Sequence, residues 1–292
     1  MARNTNGIHK RSIQRYGWVP DLPDARDFVF SAPDAVIANL PTKVDLRSKC
    51  PRIYDQGQLG SCTANAIAGA YEFDQVQERQ PDFMPSRLFI YFNERTMEGT
   101  VDIDAGAMIR DGIKSVAKLG VCTEANWPYD IAAFRDRPGA ACYKEALKHQ
   151  AIVYRSVSQQ LTQLQACLAT GTPIVFGFSV YESFESEQVA RTGVVEMPAP
   201  REKQVGGHAV VAVGYDNPSQ RFIVRNSWGT RWGQKGYYTM PYGYVTNPQL
   251  AQDFWAIYAV EKNGQSGARR RASTARSTVK KVAKRRSRSR TN

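Results

Sequence analysis

The chain has 292 residues, of which 42% are hydrophobic and 11% aromatic, and its formal net charge is +12. This length and composition favour a packed globular protein of one or two lobes. No apolar run approaches the roughly 18 residues that a membrane-spanning helix needs. Residues 1–14 are polar and basic and lack the hydrophobic stretch of a signal peptide. We therefore expect a cytoplasmic location by default, with signal-independent secretion left open.

Residues 1–39 form a segment with its own composition. A basic start is followed by aromatic residues that alternate with prolines and aspartates, among them Tyr16, Trp18, Phe28 and Phe30. Prolines at this density argue against a long helix. The sequence therefore predicts a separate N-terminal segment ahead of the globular domain.

A glycine-rich loop, Asp55–Gly60, leads into a run of helix-forming residues that begins near Cys62. Apolar residues recur at helical spacing after it, so we expect a helix with a buried apolar face. A cysteine at a helix N-terminus meets unpaired backbone N–H groups and the positive end of the helix dipole, which favour the reactive thiolate. For a cysteine considered alone, a small buried hydrophobic residue remains the simpler interpretation.

Two further helices are predicted, over Pro85–Arg95 and from Asp102 to about Leu119, because apolar residues recur there at helical spacing. After residue 130 an amphipathic helix is predicted over Ser158–Thr170. Strands with turn residues between them are predicted over Pro173–Val180, Gly193–Glu196, Ala209–Tyr215, Arg221–Arg225 and Tyr237–Pro241. The first half of the chain is thus rich in helices and the second half in strands.

His208 and Asn226 lie at the ends of neighbouring apolar strands. His208 opens an uninterrupted apolar run, and Asn226 follows the short strand that ends in Val224 and Arg225. Two adjacent antiparallel strands would bring the imidazole and the amide together. These residues follow Cys62 by 146 and 164 positions, close to the separation of the His and Asn that serve a catalytic cysteine in papain-like enzymes.

Four blocks in this order resemble the signature blocks of the papain family of cysteine peptidases: Gln56, Ser61-Cys62, His208-Ala209-Val210 and Asn226-Ser227-Trp228-Gly229. Leu40–Arg47 resembles the start of the mature enzymes, so the resemblance covers roughly residues 40–260. Bacterial members with a short N-terminal propeptide are the most similar type.

The resemblance implies an α+β fold with two lobes, one helical and one an antiparallel, β-barrel-like lobe, and an active-site cleft between them. Three parts of the chain are then expected. Residues 1–39 form the propeptide-like segment, residues 40–264 the peptidase domain, and residues 265–292 a basic tail. Within the domain, the helical lobe is expected mainly over 45–130 and the β lobe mainly over 131–245.

The same resemblance implies roles for individual residues. Cys62 would be the nucleophile, His208 its base, Asn226 the residue that orients the imidazole, and Gln56 a donor to the oxyanion. Candidates for substrate binding are Gly106, for which a simple turn glycine is nearly as good an explanation, Gly207, and Trp228, which would shield the His–Asn hydrogen bond. No metal or other cofactor is implied.

The chain departs from the family pattern at two positions next to the nucleophile. Thr63 stands where most members have tryptophan, and Leu59 stands where they have a cysteine, so the family's usual first disulfide is absent. The remaining four cysteines have no spacing that favours a pairing, and in the cytoplasm we expect free thiols. Their positions are 50, 122, 142 and 167.

The two ends of the chain are expected to have different partners. Residues 1–39 are much shorter than the inhibitory prodomain of many family members, and we expect their aromatic residues to occupy the cleft in a nonproductive direction, making the protein a zymogen. A surface extension that never touches the cleft is the alternative.

In the tail, 11 of the residues 265–292 are Lys or Arg and none is acidic, so nearly all of the net charge lies there. Such a tail is expected to be disordered and to bind nucleic acid or an anionic surface, or simply to be solvated.

Three functions fit this sequence. The first is a cysteine-type peptidase, most simply an endopeptidase, that acts on protein or peptide substrates. A non-peptidase acyl-transfer enzyme can use the same triad, because the triad does not by itself select the substrate. The third is a catalytically silent protein that binds through its basic tail.

Overall fold

The computed structural model describes residues 16–79 and 82–259, without the side chains of residues 151, 152 and 259. Residues 1–15 and the predicted basic tail lie outside these ranges. In chain order the helices and strands are β1 (Trp18–Val19), β2 (Val29–Phe30), α1 (Asp34–Ile37), β3 (Lys43–Asp45), α2 (Cys62–Gln77), α3 (Arg87–Glu98), β4 (Ala107–Met108), α4 (Ile109–Leu119), α5 (Ala140–Ala146), β5 (Ala151–Val157), α6 (Leu161–Ala169), β6 (Ile174–Tyr181), α7 (Glu187–Thr192), β7 (Gln204–Asp216), β8 (Arg221–Arg225), β9 (Tyr237–Pro241), α8 (Tyr242–Val245) and β10 (Ala251–Ala259).

The larger sheet has the strand order β2-β5-β10-β6-β7-β8-β9, with β3 beside β7. Its pairs are antiparallel except for β2 and β5, which run parallel. The two edge strands of this path, β2 and β9, do not pair with each other, so the described sheet is open rather than closed into a barrel. One edge is supplied by the N-terminal segment, since β2 lies before residue 40.

Helix α2 lies in the middle of the molecule. One side packs on β7 and β10 of the sheet, and another packs on α3 and α4. Its residues from Cys62 to Gln75 are all buried, whereas the sequence pattern predicted a single buried face. Because α2 is enclosed by both lobes, its first residue is held at the boundary between them.

Most of the predicted elements are confirmed, with local differences. The predicted strand Gly193–Glu196 is wrong: only an isolated bridge joins Val194 to Thr239, because α7 ends at Gly193 in a left-handed conformation just before it. The third predicted helix begins at Ile109 rather than near Asp102, since the preceding residues are extended and include β4. The long strands β5 and β10 were not predicted, and neither were the short strands β1 to β4.

No helix in the described part of the chain is long and apolar enough to cross a membrane. The five cysteines all lie in that part, and none of them forms a disulfide there.

Candidate active site

The predicted nucleophile, Cys62, is the first residue of α2 and is completely buried. The side chain of the preceding residue, Ser61, does not cap the helix, so it takes up none of the first backbone N–H groups of α2. The thiol accepts backbone hydrogen bonds from Thr63 in its own helix and from Ala209 on β7. The helix start and the strand that carries His208 therefore meet at the sulfur.

His208 and Asn226 are brought together, as predicted. Strands β7 and β8 pair with Val211 opposite Arg225, which places both residues at the same end of this antiparallel pair. His208 Nε2 lies 2.8 Å from Asn226 Oδ1, and the Ser227 backbone N–H donates to the same oxygen at 2.8 Å. Because this oxygen can only accept, Nε2 carries the proton and Nδ1 is the nitrogen left for exchange with the thiol.

Trp228 covers this histidine–asparagine pair. Its ring lies 5.0 Å from the imidazole at an interplanar angle of 31°, and Asn226 beneath it is 2% exposed. The edges of Phe184 and Trp232 pack against the indole at centroid distances of 5.5 and 5.2 Å. An aromatic cluster of this kind excludes water and so strengthens the hydrogen bond that it covers.

Gln56 is buried in the loop ahead of Cys62 and is tied to the segment that follows Asn226. Its side-chain amide donates to Leu59 O at 2.9 Å and accepts from Ser227 Oγ at 2.7 Å, and its backbone N–H donates to Ser227 O at 2.9 Å. These bonds fix the orientation of the amide, since each atom of the group has a partner suited to it. The structure therefore brings all four predicted catalytic residues to one place.

Tyr129 is a residue of this site that sequence reasoning missed. Its hydroxyl donates to the Gln56 backbone carbonyl at 2.8 Å and lies 2.5 Å from Ser61 Oγ. The Arg87 guanidinium lies 4.0 Å from its ring centroid and pairs with Glu124. Tyr129 thus connects the two ends of the loop Gln56–Ser61. Nothing in the local sequence pattern around residue 129 indicates this role.

The departure at Thr63 has a buried partner on α3. Thr63 Oγ1 donates to Glu94 Oε1 at 2.6 Å, and Glu94 is fully buried. Burial raises the pKa of the Glu94 carboxyl well above its usual value, while the Thr63 hydrogen bond opposes this shift. A hydroxyl and a carboxyl therefore join the first turn of α2 to α3 at this position.

The N-terminal segment crosses the cleft directly over Cys62. The backbone N–H of Gly17 faces the thiol, and its carbonyl accepts from Ala107 N at 2.8 Å. Strand β1 then pairs in parallel with β4, with Trp18 opposite Ala107. A methyl group on Gly17 would overlap the carbonyl of Gly60, and one on Gly106 would overlap Gly17. Only a segment with glycine at position 17 fits this closely against the loop and the cleft wall.

Two aromatic side chains flank Gly17 on opposite sides of the thiol. Tyr16 packs on Gly206, lies 6.0 Å from the His208 ring and 6.3 Å from the Trp228 ring, and bonds Glu185 through its hydroxyl. Trp18 packs on Gly207 on the other side. The candidate substrate-binding residues Gly106, Gly207 and Trp228 are therefore all contacted by this segment.

Closure of the cleft has a direct electrostatic consequence. Burial raises the pKa of the Cys62 thiol to about 12, and the backbone hydrogen bonds from Ala209, Gly17 and Thr63 only partly oppose it. The pKa of Cys62 is thus raised in this structure, whereas the sequence predicted a lowered pKa. The cause is burial of the sulfur, which is shielded from water in this structure, where Gly17 of the segment lies against it.

Comparison with known proteins agrees with this geometry. The sequence profile of the papain family cysteine proteases matches residues 40–257. An uncharacterised peptidase C1-like protein of Acanthamoeba polyphaga mimivirus is 43% identical over 272 residues, which cover 85% of this chain and 88% of that protein.

Solved structures give the same assignment. Xylellain, a cysteine protease from Xylella fastidiosa, aligns with a TM-score of 0.79 and 46% identity, covering 86% of this chain and 98% of xylellain. Digestive procathepsin L 3 from Tenebrio molitor shares the fold at 18% identity, with a TM-score of 0.65, 84% of this chain and 76% of the other covered. The chain therefore belongs to the papain family of cysteine proteases, and its fold is the papain-like fold predicted from the sequence.

Proposed function

We propose that this cysteine protease is made as a zymogen whose N-terminal segment, residues 1–39, blocks a Cys62–His208–Asn226 triad. One observation carries the proposal: the backbone of Gly17 lies against the Cys62 thiol, next to a His208–Asn226 pair that is already joined at 2.8 Å. The triad is thus assembled but covered. Removal of the segment would expose it without rearrangement of the triad.

In the open cleft, His208 takes the Cys62 proton through Nδ1, and Asn226 holds the resulting imidazolium through Nε2. The thiolate sulfur attacks the carbonyl carbon of a peptide bond, and the C–N bond breaks as His208 Nδ1 gives its proton to the leaving amine. Water then attacks the thioester, transfers one proton to His208 and releases the acid and Cys62. The Cys62 backbone N–H and the Gln56 amide stabilise the oxyanion in both halves.

The direction of the segment supports a nonproductive mode of binding. The leaving amine must receive its proton from His208, so the leaving-group side of the cleft is the side on which Tyr16 lies. Trp18 lies on the acyl side, beyond Gly17. A substrate runs from the acyl side to the leaving-group side in the N-to-C direction, whereas this segment runs from Tyr16 to Trp18, the reverse. The thiol accordingly faces the Gly17 N–H and not a carbonyl carbon.

The proposal is tested by measuring hydrolysis of an internally quenched peptide, blocked at both ends so that only endopeptidase action separates the dyes. Full-length protein and protein lacking residues 1–39 are compared, with Cys62→Ala of each as the blank. We expect Cys62-dependent hydrolysis only after removal of the segment, with a bell-shaped pH profile of kcat/KM. Equal activity of the two proteins would rule out blocking. Absence of hydrolysis in both would rule out peptidase action on such substrates.

A further inference from the structure

Arg87 is a buried cation beside the loop Gln56–Ser61, and it takes no part in the mechanism proposed above. It is the first residue of α3 and is 5% exposed. Its Nη1 donates to the Asp55 carbonyl at 3.2 Å and to Asn65 Oδ1 at 3.1 Å. Asp55 directly precedes the loop, and Asn65 lies in the first turn of α2, which follows the loop. One nitrogen atom therefore contacts both flanks of the loop.

A directed series of hydrogen bonds continues from Asn65 through the loop. Asn65 Nδ2 donates to the Ser61 carbonyl at 2.9 Å and to Ser61 Oγ at 3.1 Å. The Tyr129 hydroxyl donates its one proton to the Gln56 carbonyl at 2.8 Å, so it accepts in its 2.5 Å contact with Ser61 Oγ. Each group between Arg87 and Gln56 thus accepts one hydrogen bond and donates the next. The bonds in such a series strengthen one another.

Glu124 fixes the plane of the Arg87 guanidinium. Nε and Nη2 donate to the two carboxylate oxygens of Glu124 at 2.8 and 2.6 Å, which makes a bidentate pair. The guanidinium carbon also lies over the rings of Tyr129 and Tyr54, 4.0 and 5.0 Å from their centroids. Because the planar group is held in this way, Nη1 is directed at the loop. A lysine ammonium has no such plane and cannot make the same set of contacts.

The loop sets the relative position of the two groups that are proposed to stabilise the oxyanion. The Gln56 amide stands at the start of the loop, and the Cys62 backbone N–H directly follows its end. The loop has no regular secondary structure, so its conformation depends on side-chain hydrogen bonds at its two ends. Accurate placement of such donors matters, since a displacement of about 1 Å can lower a rate by about 100-fold.

We infer that Arg87 is a positioning residue that holds the two oxyanion donors in place without touching the substrate. The inference rests on the proposed peptidase mechanism. It implies a distinct pattern of kinetic effects. Loss of the guanidinium should weaken stabilisation of the oxyanion and so lower kcat. Substrate binding and alkylation of Cys62 should stay the same, because neither of them forms an oxyanion.

The first test compares Arg87→Lys with Arg95→Lys in the processed enzyme, with processing verified by mass spectrometry. Arg95 is the matched control, because it lies on the same helix and is completely buried, but donates to the carbonyls of Val101 and Ile103. We expect Arg87→Lys to reduce kcat by about 10- to 100-fold, with KM and the iodoacetamide alkylation rate of Cys62 within about twofold of the wild type. Arg95→Lys should change kcat by about twofold or less.

Thermal unfolding shows whether the two variants lose similar stability. Equal losses of kcat in Arg87→Lys and Arg95→Lys would overturn the inference, and so would a parallel loss of Cys62 alkylation in Arg87→Lys. Absence of hydrolysis by the processed wild type would instead overturn the proposed function.

A second variant leaves Arg87 in the protein. Glu124→Gln keeps the size of the side chain but has only one oxygen to accept from the guanidinium, so the bidentate pair is lost. The control is Asp45→Asn, which weakens a comparable pair with Arg47 at the surface. We expect Glu124→Gln to lower kcat by about 3- to 10-fold and Asp45→Asn to leave it unchanged. An unchanged kcat in Glu124→Gln would contradict the role of the fixed guanidinium plane.

A third measurement needs no turnover. When a peptide aldehyde binds, Cys62 Sγ adds to its carbonyl carbon and the thiol proton passes to the carbonyl oxygen, which then lies among the oxyanion donors. The corresponding peptide alcohol forms no bond to sulfur. Calorimetric titration gives both affinities in wild type and Arg87→Lys. We expect the variant to bind the aldehyde about tenfold or more weakly and the alcohol equally well. Equal changes for aldehyde and alcohol, or no change for either, would overturn the inference.

Discussion

The proposed catalytic residues and the N-terminal segment that covers them are held by different kinds of contact. Gln56, His208 and Asn226 are all at most 2% exposed, and their hydrogen bonds join elements that lie far apart in sequence. The segment instead carries large exposed apolar residues, with Leu22 at 70%, Phe28 at 72% and Val29 at 59%, and it is anchored by a few polar contacts.

This difference indicates that the site around His208 is a fixed part of the fold, whereas the N-terminal segment can be released. Burial of the catalytic residues makes any loosening there costly. In contrast, the buried apolar residues of the described part of the segment are Trp18, Phe30 and Ala32. Its other anchors are short strand pairs with β4 and β5 and carboxylates such as Asp21 and Asp27. We expect its removal to leave the hydrogen bonds of Gln56, His208 and Asn226 intact, as the proposed zymogen requires.

The largest effects are expected on the catalytic side. Cys62→Ala and His208→Ala should each reduce kcat of the processed enzyme by about 10⁴-fold or more, because they remove the nucleophile and its base. Hydrolysis of a fluorogenic peptide by the processed proteins measures this. Cys50→Ala is the control, as this half-buried thiol lies outside the site. Retention of activity in either active-site variant would contradict the assignment.

Gln56→Ala should reduce kcat by about 10²–10³-fold if its amide donates to the oxyanion. The amide also bonds Ser227 and Leu59, so part of the loss reflects a displaced loop. Iodoacetamide alkylation separates the two effects, because that reaction forms no oxyanion. A loss in kcat with an unchanged alkylation rate is expected. A parallel loss of both would assign Gln56 a structural role instead.

Tyr129→Phe should reduce kcat about 10-fold, with little change in KM, because the hydroxyl fixes the loop between Gln56 and Ser61. The matched control is Tyr143→Phe, which also removes a hydroxyl from a hydrogen bond, that to Asn93 at 3.0 Å. Thermal unfolding of both variants shows whether they lose similar stability. Equal kcat in the two variants would mean that Tyr129 acts only through stability.

On the segment side, the smallest effect concerns Asp21, which accepts from Trp255 Nε1 and from the Arg110 backbone. Burial and then the nearby charge of Asp253 raise its pKa to about 7 in the docked segment. A pKa that is raised on docking means that docking favours the protonated form. The contribution of protonated Asp21 to the stability of the docked segment is therefore complete at pH values below about 4, the usual aspartate range. It is lost as the pH rises through about 7.

The rate of Cys62 alkylation in the wild type, divided by the rate in Asp21→Asn, isolates this contribution of Asp21. The ionisation of the Cys62 thiol affects both rates equally and therefore cancels in the ratio. Asparagine has the size of the protonated acid and does not titrate. The ratio should rise by up to about tenfold between pH 6 and pH 8. A ratio that stays constant, or that falls with pH, would contradict the proposed titration.

The sequence predicted the site residues better than it predicted the contacts of the N-terminal segment. The convergence of Cys62, His208, Asn226 and Gln56 at one place was predictable because family motifs surround them, and because helix α2 and strands β7 and β8 have clear apolar patterns. Tyr129 was not, since its role depends on a loop contact with Gln56, 73 positions away.

Contacts of the segment were predicted only in outline. Composition indicated that residues 1–39 differ from the domain and carry aromatic residues, but the contacts of Trp18 with Gly177, Gly207 and Asp253 arise from the packing of β6, β7 and a bulge in β10. Strand β10 itself was missed, although Ala251–Ala259 forms much of the sheet centre. Such long-range contacts have no local sequence signal.

The central claim, that the segment covers an assembled triad, is tested most directly by Gly17→Ala in the full-length chain. A methyl group there would overlap the Gly60 carbonyl, whereas one on Gly139, the control position, meets nothing within 4 Å.

Cys62 alkylation by iodoacetamide is followed from pH 4 to 10 in four proteins: the wild type, Gly17→Ala, Gly139→Ala, and Gly17→Ala combined with His208→Ala. We expect slow alkylation in wild type and Gly139→Ala, and rapid alkylation well below pH 8.5 in Gly17→Ala that the histidine substitution removes. Alkylation that is equally fast in wild type and Gly17→Ala, or insensitive to His208, would contradict the account.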